Sequence, residues 1–145
     1  MTPATIAITD HLLACFIVPH LFSKRVHEFA GWCMVCIVVV LSVAPLPSLT
    51  PVTENYDDKI AHGLVYSTLM FWFALVRAPE HWRRLALAIF ALGLGLEVAQ
   101  ALLPYRTASL ADAVANGLGV ALGAVTAWLF TRAGGTGPGR RGRAE

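Results

Sequence analysis

The chain has 145 residues, of which 57% are hydrophobic and only 14% are charged, and its formal net charge is +2. So few charged residues cannot cover the surface of a soluble globular domain of this length, and the mean hydropathy of +0.63 is correspondingly high. The composition therefore indicates an integral membrane protein, and the small net charge gives no basic surface for binding a nucleic acid.

Residues 1–28 form an N-terminal segment that is distinct from the rest of the chain. Their longest uninterrupted apolar run, 12–18, is far shorter than the ~20 residues that a membrane-spanning helix needs. The segment also lacks the basic start of a secretory signal. We predict an interfacial, membrane-associated helix here, with an extra membrane span or an over-extended translation start as alternatives.

Residues 29–131 contain four apolar stretches, and each predicts a transmembrane helix. The first begins at Phe29 and ends near Pro45, and the others cover 60–76, 85–105 and 113–131. A short acidic loop at 49–58 and a basic turn at 77–84 separate the first three stretches. The predicted fold is an all-α, polytopic bundle of four transmembrane helices, followed at 132–145 by a disordered basic tail.

Lysine and arginine residues are distributed unevenly between the two sides of this four-span topology. Only Lys59 and Arg106 lie on one side, and nine lie on the other. Those nine are Lys24, Arg25, Arg77, Arg83, Arg84, Arg132, Arg140, Arg141 and Arg143. The positive-inside rule then predicts a multi-pass protein of the cell membrane with both termini in the cytoplasm.

Polar residues interrupt the last three predicted spans at a similar depth. On the second span they are Asp58, Lys59, His62 and Tyr66, on the third Glu97 and Gln100, and on the fourth Asp112 and Asn116. At 1.5 Å of rise per residue, Glu97 lies about 9 Å below the break at Pro104. Because an isolated carboxylate costs roughly 2.5–3.5 kcal/mol in a membrane helix, we expect these groups to share one hydrated pocket near the outer leaflet.

Two further features concern the corner between the third and fourth spans. Arg106 and Lys59 are the candidates to pair with a carboxylate of Glu97, Asp112 or Asp58, and Ser109 offers a cap for the fourth helix. Small residues recur every four positions on both helices, which predicts close packing of these two helices as a hairpin. They are Ala91, Gly95 and Ala99 on the third, and Ala115, Gly119, Gly123 and Ala127 on the fourth.

These polar motifs, taken in order, resemble the VanZ-like family, small membrane proteins named for one that gives low-level teicoplanin resistance. The resemblance covers about residues 30–131. It rests on Asp58-Lys59 with His62 and Tyr66, on Glu97-x-x-Gln100, and on Arg106-x-x-Ser109-x-x-Asp112-x-x-x-Asn116-Gly117 with Gly119 and Gly123. The resemblance implies a role at the cell envelope, an effect on glycopeptide sensitivity, and a functional role for these polar positions.

Each candidate site residue also has a structural explanation. Glu97 and Gln100 could fix helix packing through a hydrogen bond, Asp112 and Asn116 could stabilise a helix N-terminus, and Arg106 could anchor a helix at the lipid headgroups. For His62 three roles stay open: a general base beside Asp58, a metal ligand with Glu97 or Asp112, and a neutral core histidine.

The function favoured by these features is non-enzymatic binding of a membrane lipid headgroup or a lipid-linked envelope precursor. Arg106, Lys59 and the amide side chains could hold the phosphate and hydroxyl groups of such a headgroup. The alternatives are an enzyme that modifies such a lipid, with His62, Glu97 and Asp112 as the candidate acid/base groups, and a structural membrane subunit. The sequence contains no nucleophile-elbow, zincin or phosphate-loop motif. We therefore predict no metal site and no cofactor.

Overall fold

The computed structural model describes residues 23–45, 54–106 and 108–133. They form four helices: α1 (Lys24–Val43), α2 (Glu54–Ala74), α3 (Trp82–Ala101) and α4 (Leu110–Ala133), with a short 3-10 helix at Pro79–His81 before α3. These described residues contain no strand, so the predicted all-α bundle of four helices is confirmed. Residues 1–22 of the predicted interfacial segment and the tail beyond Ala133 lie outside the described residues, whereas 24–28 belong to α1.

Within the described residues, three segments are long and apolar enough to cross a membrane: Lys24–Val43, Pro79–Ala101 and Leu110–Ala133. The chain is therefore a multi-pass membrane protein. α2 differs because its first turns are charged, and its apolar remainder, 60–74, measures only about 22 Å at 1.5 Å per residue. The other three helices all contact α2, and α4 does so most extensively, so the most polar helix lies inside the bundle.

The helix boundaries differ from the sequence prediction at several ends. α1 and α3 begin at Lys24 and Trp82, earlier than the predicted Phe29 and Leu85. The predicted acidic loop is wrong from Glu54 onward, because Glu54–Asp58 already belongs to α2. Acidic residues are favourable at a helix N-terminus, where they face the positive end of the helix dipole, so this acidic stretch is compatible with the start of a helix.

The small residues of α4 pack against α2 rather than against α3. A Cβ atom added to Gly119 would collide with the carbonyl oxygen of Gly63, and one added to Gly123 would collide with the carbonyl oxygen of Ser67. By contrast, a Cβ atom on Gly95 would meet no described atom within 4 Å. The expected close packing of the two small-residue ladders of α3 and α4 is therefore wrong, since the partner of the α4 ladder is the backbone of α2.

The apolar core lies between α2 and its neighbours. Tyr66, Leu69, Met70 and Phe73 point into it from α2, and Ile89, Val120 and Ala127 complete it from α3 and α4. The outer surface is also apolar, with exposed large side chains on all four helices. Apolar side chains on both faces are what a bundle surrounded by lipid requires.

His27 and Trp72 join α1 to α2 at the end of the bundle away from Asp58. Their rings stack with centroids 4.1 Å apart, and each side chain donates a hydrogen bond to the backbone carbonyl of the other residue. His27 is buried. The next residue, Glu28, forms an ion pair with Arg77, with 3.4 Å between Oε1 of Glu28 and Nη2 of Arg77. This connection could not be predicted from the sequence, because nothing in the local pattern relates positions 27 and 72.

Candidate functional site

The polar side chains of α2, α3 and α4 lie together at one end of the bundle. Consecutive helices run in opposite directions, so the start of α2, the end of α3 and the start of α4 are neighbours, beside the end of α1. We refer to the resulting group as the polar cluster. It consists of Asp58, Lys59, His62, Glu97, Asp112 and Asn116.

His62 lies at the centre of the polar cluster. Its Nδ1 atom is 3.0 Å from Oδ1 of Asn116 and 3.9 Å from Oε1 of Glu97, and its Nε2 atom is 3.8 Å from Oδ1 of Asp58. Side chains from three helices therefore converge on one imidazole, which is itself 17% exposed.

The hydrogen bond to Asn116 determines the tautomer of a neutral His62 ring. An amide oxygen accepts hydrogen bonds and cannot donate one, so this contact is a hydrogen bond when Nδ1 of His62 carries the proton. In the neutral ring, Nε2 then has an available lone pair on the side of Asp58. His62 is consequently oriented to act as an acceptor toward the mouth of the polar cluster.

The two buried carboxylates have different surroundings. Oδ1 of Asp112 lies 3.8 Å from the ammonium of Lys59. Among the described residues, this is the one ion pair that matches those expected for Lys59 and Arg106. Oε2 of Glu97 accepts a hydrogen bond of 3.2 Å from the backbone N–H of Ser109. Glu97 thereby ties the end of α3 to the loop that precedes α4, and Ser109 contributes its main chain to this contact.

Gln100, Tyr105 and Arg106 bind the C-terminal end of α1 instead of entering the polar cluster. Gln100 donates to the carbonyl of Ser42, Tyr105 to that of Val43, and Arg106 to those of Leu41 and Ala44, over 2.8–3.0 Å. The last carbonyls of a helix have no partners within it, and a cation is favourable there. Among the described residues Arg106 makes no ion pair with a carboxylate, so its described hydrogen bonds cap α1.

Tyr66 and Gly93 form the floor of the polar cluster. The Tyr66 ring is parallel to the His62 ring, with centroids 6.4 Å apart. A Cβ atom on Gly93 would approach Nδ2 of Asn116 to 2.8 Å and the Tyr66 ring to 2.9 Å. A glycine at position 93 thus lets the side chains of Asn116 and Tyr66 pack closely against the backbone of α3. Sequence reasoning missed Gly93 because a lone glycine in an apolar span resembles any other small packing residue.

Several buried atoms of this end of the bundle have no hydrogen-bond partner among the described residues. In the polar cluster they are Oε1 of Glu97, Oδ1 of Asp112 and Nδ2 of Asn116, and Nε of Arg106 is a fourth nearby. An unsatisfied buried polar group costs about 1–3 kcal/mol. These atoms include both acceptors and donors, so the cluster can bind a molecule or an ion that supplies the complementary groups.

A groove of about 350 Å³ runs along the outer surface between α2 and α4. Its lining is formed by Lys59, Ile60, Gly63, Ala111, Val114, Ala115 and Leu118. Apart from Lys59 these residues are apolar, and the exposed side chains of Ile60, Val114 and Leu118 face the lipid. The groove therefore connects an apolar, lipid-facing surface to the ammonium that pairs with Asp112.

Comparison with known proteins gives one match. The family model described as VanZ/LLP1 matches residues 32–131, which include α1 from Trp32 and all of α2 and α3. No curated protein and no solved structure matches the chain significantly. The matched range contains every residue of the polar cluster.

Proposed function

The chain belongs to the VanZ/LLP1 family, and from this premise we propose that it is a cell-envelope membrane protein that binds the headgroup of a membrane lipid or of a lipid-linked envelope precursor. The polar cluster would hold the headgroup, and the groove between α2 and α4 would hold part of an acyl or prenyl chain. This is a binding function, without chemical change of the lipid.

The position of Lys59 is the observation that carries the proposal. Its ammonium lies beside the buried Asp112 carboxylate, and the same lysine is one of the residues that line the apolar groove. Phospholipids and lipid-linked precursors combine a phosphate with a long apolar chain. A lysine at the junction of a polar pocket and a lipid-facing groove is complementary to both parts, because an ammonium binds phosphate as a compact charge.

The unpaired buried atoms also support binding over simple helix association. A cluster that only joined helices would gain stability by satisfying its own donors and acceptors. Here Nδ2 of Asn116 and Oδ1 of Asp112 are left without hydrogen-bond partners in the described part of the chain. Sugar hydroxyls and amides of a headgroup can both donate and accept hydrogen bonds, so they match such a mixed set.

Lipid retention tests this proposal. The protein is extracted from the membrane in polymer nanodiscs, and lipids that resist exchange are quantified by mass spectrometry for wild type, Lys59→Gln and Lys24→Gln. Lys24 is an exposed lysine at the opposite end of the bundle and serves as the matched control. We expect one phosphate-bearing lipid class to be enriched with wild type and Lys24→Gln and at least about fivefold less with Lys59→Gln. Equal enrichment with all three proteins would contradict the proposal.

Arg106 is a poor test residue for lipid binding, although the sequence alone suggests it. Its guanidinium holds two carbonyls of α1. A lipid lost from Arg106→Ala would therefore report a displaced α1 as readily as a missing phosphate contact.

A second candidate function is an enzyme that modifies the same lipid. The observation in its favour is the pair of His62 and Asp58, since Nε2 of His62 is directed to the exposed end of the cluster and a carboxylate lies 3.8 Å away. Such a histidine can accept a proton from a nucleophile. Conversion of a supplied lipid-linked precursor by wild type and not by His62→Gln would favour the enzyme. An unchanged precursor after prolonged incubation with wild type would favour binding alone.

We also propose that the protein affects the sensitivity of its host to glycopeptide antibiotics. Overproduction of wild type is expected to change the glycopeptide sensitivity of the host, and Lys59→Gln produced at an equal level is expected not to. Identical sensitivity of both strains would separate this protein from antibiotic resistance while leaving its lipid binding to be judged from the nanodisc experiment.

A further inference from the structure

We propose that Asp58, His62 and Asp112 form a site for one divalent transition-metal cation of the Zn²⁺ or Mn²⁺ type. Each residue offers one ligand atom, and the three atoms lie within 4.8 Å of one another. Two of the ligands are one helical turn apart on α2, and the third comes from the first turn of α4. The site thus lies across the closest helix pair of the bundle.

The hydrogen bond of His62 is the first independent observation that points to a cation. Since Nδ1 donates to Asn116, the lone pair of a neutral ring is on Nε2, and that atom lies 3.8 Å from Oδ1 of Asp58. A cation placed between these two acceptors would be bound by both of them. A histidine that binds metal through one nitrogen commonly donates its other N–H to an oxygen acceptor, which is the role of Asn116 here.

The burial of Asp112 is the second observation. The residue is 4% exposed, and its Oδ1 atom has no hydrogen-bond partner among the described residues. The nearest cation, the Lys59 ammonium, is 3.8 Å away, beyond hydrogen-bond distance. This buried carboxylate oxygen is therefore available as a ligand.

The burial of the acids also favours a cation at this position. Glu97 and Asp112 are both buried, and the ammonium of Lys59 lies 3.8 Å from Asp112. Burial of uncompensated charge is costly, so a bound cation would stabilise this group of acids.

The type of ligand selects the type of metal. Oxygen ligands alone would suit Mg²⁺ or Ca²⁺, whereas one imidazole with two carboxylates suits Zn²⁺ or Mn²⁺. Ligand distances to such ions are about 2.0–2.2 Å, so the side chains must close slightly around the ion. Asp58 can do this because its side chain is 59% exposed.

Three protein ligands leave a coordination position for an outside group. If the cation is bound, this position lies at the exposed side of the cluster, where a phosphate oxygen of the headgroup would coordinate it. This last step rests on the proposed function, whereas the metal site itself does not. The metal site differs from the sequence-based expectation, which was that the chain has no metal site.

Metal binding to the purified full chain tests the inference. The three cysteines, Cys15, Cys33 and Cys36, are replaced by serine, and the affinity tag contains no histidine, so that neither thiols nor tag contribute sites. The protein is stripped with EDTA in detergent, and binding of Zn²⁺ and of Mn²⁺ is measured by titration calorimetry and by elemental analysis after dialysis. The variants are Asp58→Asn, His62→Gln and Asp112→Asn, with Glu80→Gln and His81→Gln in the exposed turn before α3 as matched controls.

We expect about one ion per chain for the parent and both controls, and at least about tenfold weaker binding for each ligand variant. Absence of stoichiometric binding by the parent, or unchanged affinity in His62→Gln, would overturn the site. Asp58→Asn alters an exposed side chain and should keep the fold, which circular dichroism and size-exclusion chromatography would verify. Metal binding without lipid retention would uphold this site and overturn the lipid function. Lipid retention that EDTA does not change would uphold the lipid function and overturn the coordination of phosphate by the metal.

Discussion

The α-carbon of Gly119 packs directly on the carbonyl of Gly63, so closely that a Cβ atom at position 119 would collide with that oxygen. This contact brings the backbones of α4 and α2 together directly after His62 on α2 and about one turn after Asn116 on α4. Because Asn116 and Asp112 lie on α4 and His62 and Asp58 on α2, the glycine contact sets the width of the polar cluster. Packing and site geometry are thus determined by the same two helices.

A larger residue at Gly119 should separate α2 from α4. We expect Gly119→Leu to destabilise the protein by more than about 3 kcal/mol, since the obstacle is a backbone carbonyl that cannot rotate away. Gly95→Leu is the matched control, because a Cβ atom there meets no described atom within 4 Å. Thermal unfolding in detergent would measure both. A similar midpoint for the two variants would contradict the helix packing described above.

Arg106 should matter for the docking of α1. Arg106→Gln removes a charged donor from the carbonyls of Leu41 and Ala44, and hydrogen bonds to charged groups contribute roughly 1.5–3 kcal/mol. We expect a loss of stability in this range and faster protease cleavage between α1 and α2. Arg83→Gln, which changes an exposed arginine in the first turn of α3, should have no such effect. Equal behaviour of the two variants would show that Arg106 does not hold α1.

Much of this arrangement could be predicted from the sequence, for reasons that are local. Apolar length and proline breaks predicted the helices, and the depth of Glu97 and Asp112 predicted that polar groups would meet at one end. Such reasoning is effective for a membrane protein, because an ionisable side chain in a spanning helix almost always faces the interior of the bundle or a hydrated cavity.

The partners of individual side chains could not be predicted in this way. Arg106 appeared suited to pair with a carboxylate, but the end of α1 also requires donors, and no local pattern connects position 106 to Leu41. Likewise, the spacing of Gly119 and Gly123 predicts a close helix contact without saying whether α2 or α3 provides it. Such choices depend on the three-dimensional order of the helices.

The orientation of the polar cluster relative to the membrane is a prediction from the distribution of basic residues. In a chain without native cysteines, Ala108→Cys would place a thiol at the cluster end and Ala78→Cys at the opposite end, both at exposed positions. An impermeant maleimide added to intact cells should label only Ala108→Cys, and permeabilisation should expose Ala78→Cys. The reverse labelling pattern would place the polar cluster in the inner leaflet.

The His62–Asn116 pair distinguishes a binding site from a purely structural link. Replacing both partners of a buried hydrogen bond by apolar residues of similar size can be nearly neutral for stability, whereas removing one partner leaves the other unpaired. We therefore expect His62→Leu with Asn116→Leu to change the free energy of unfolding by less than about 1 kcal/mol. The same double variant should lose lipid retention and metal binding, because Nε2 of His62 and Nδ2 of Asn116 are gone. If the pair served only to join α2 and α4, the double variant would retain as much lipid and metal as wild type. Parallel unfolding and nanodisc measurements on wild type, both single variants and the double variant would decide between these outcomes.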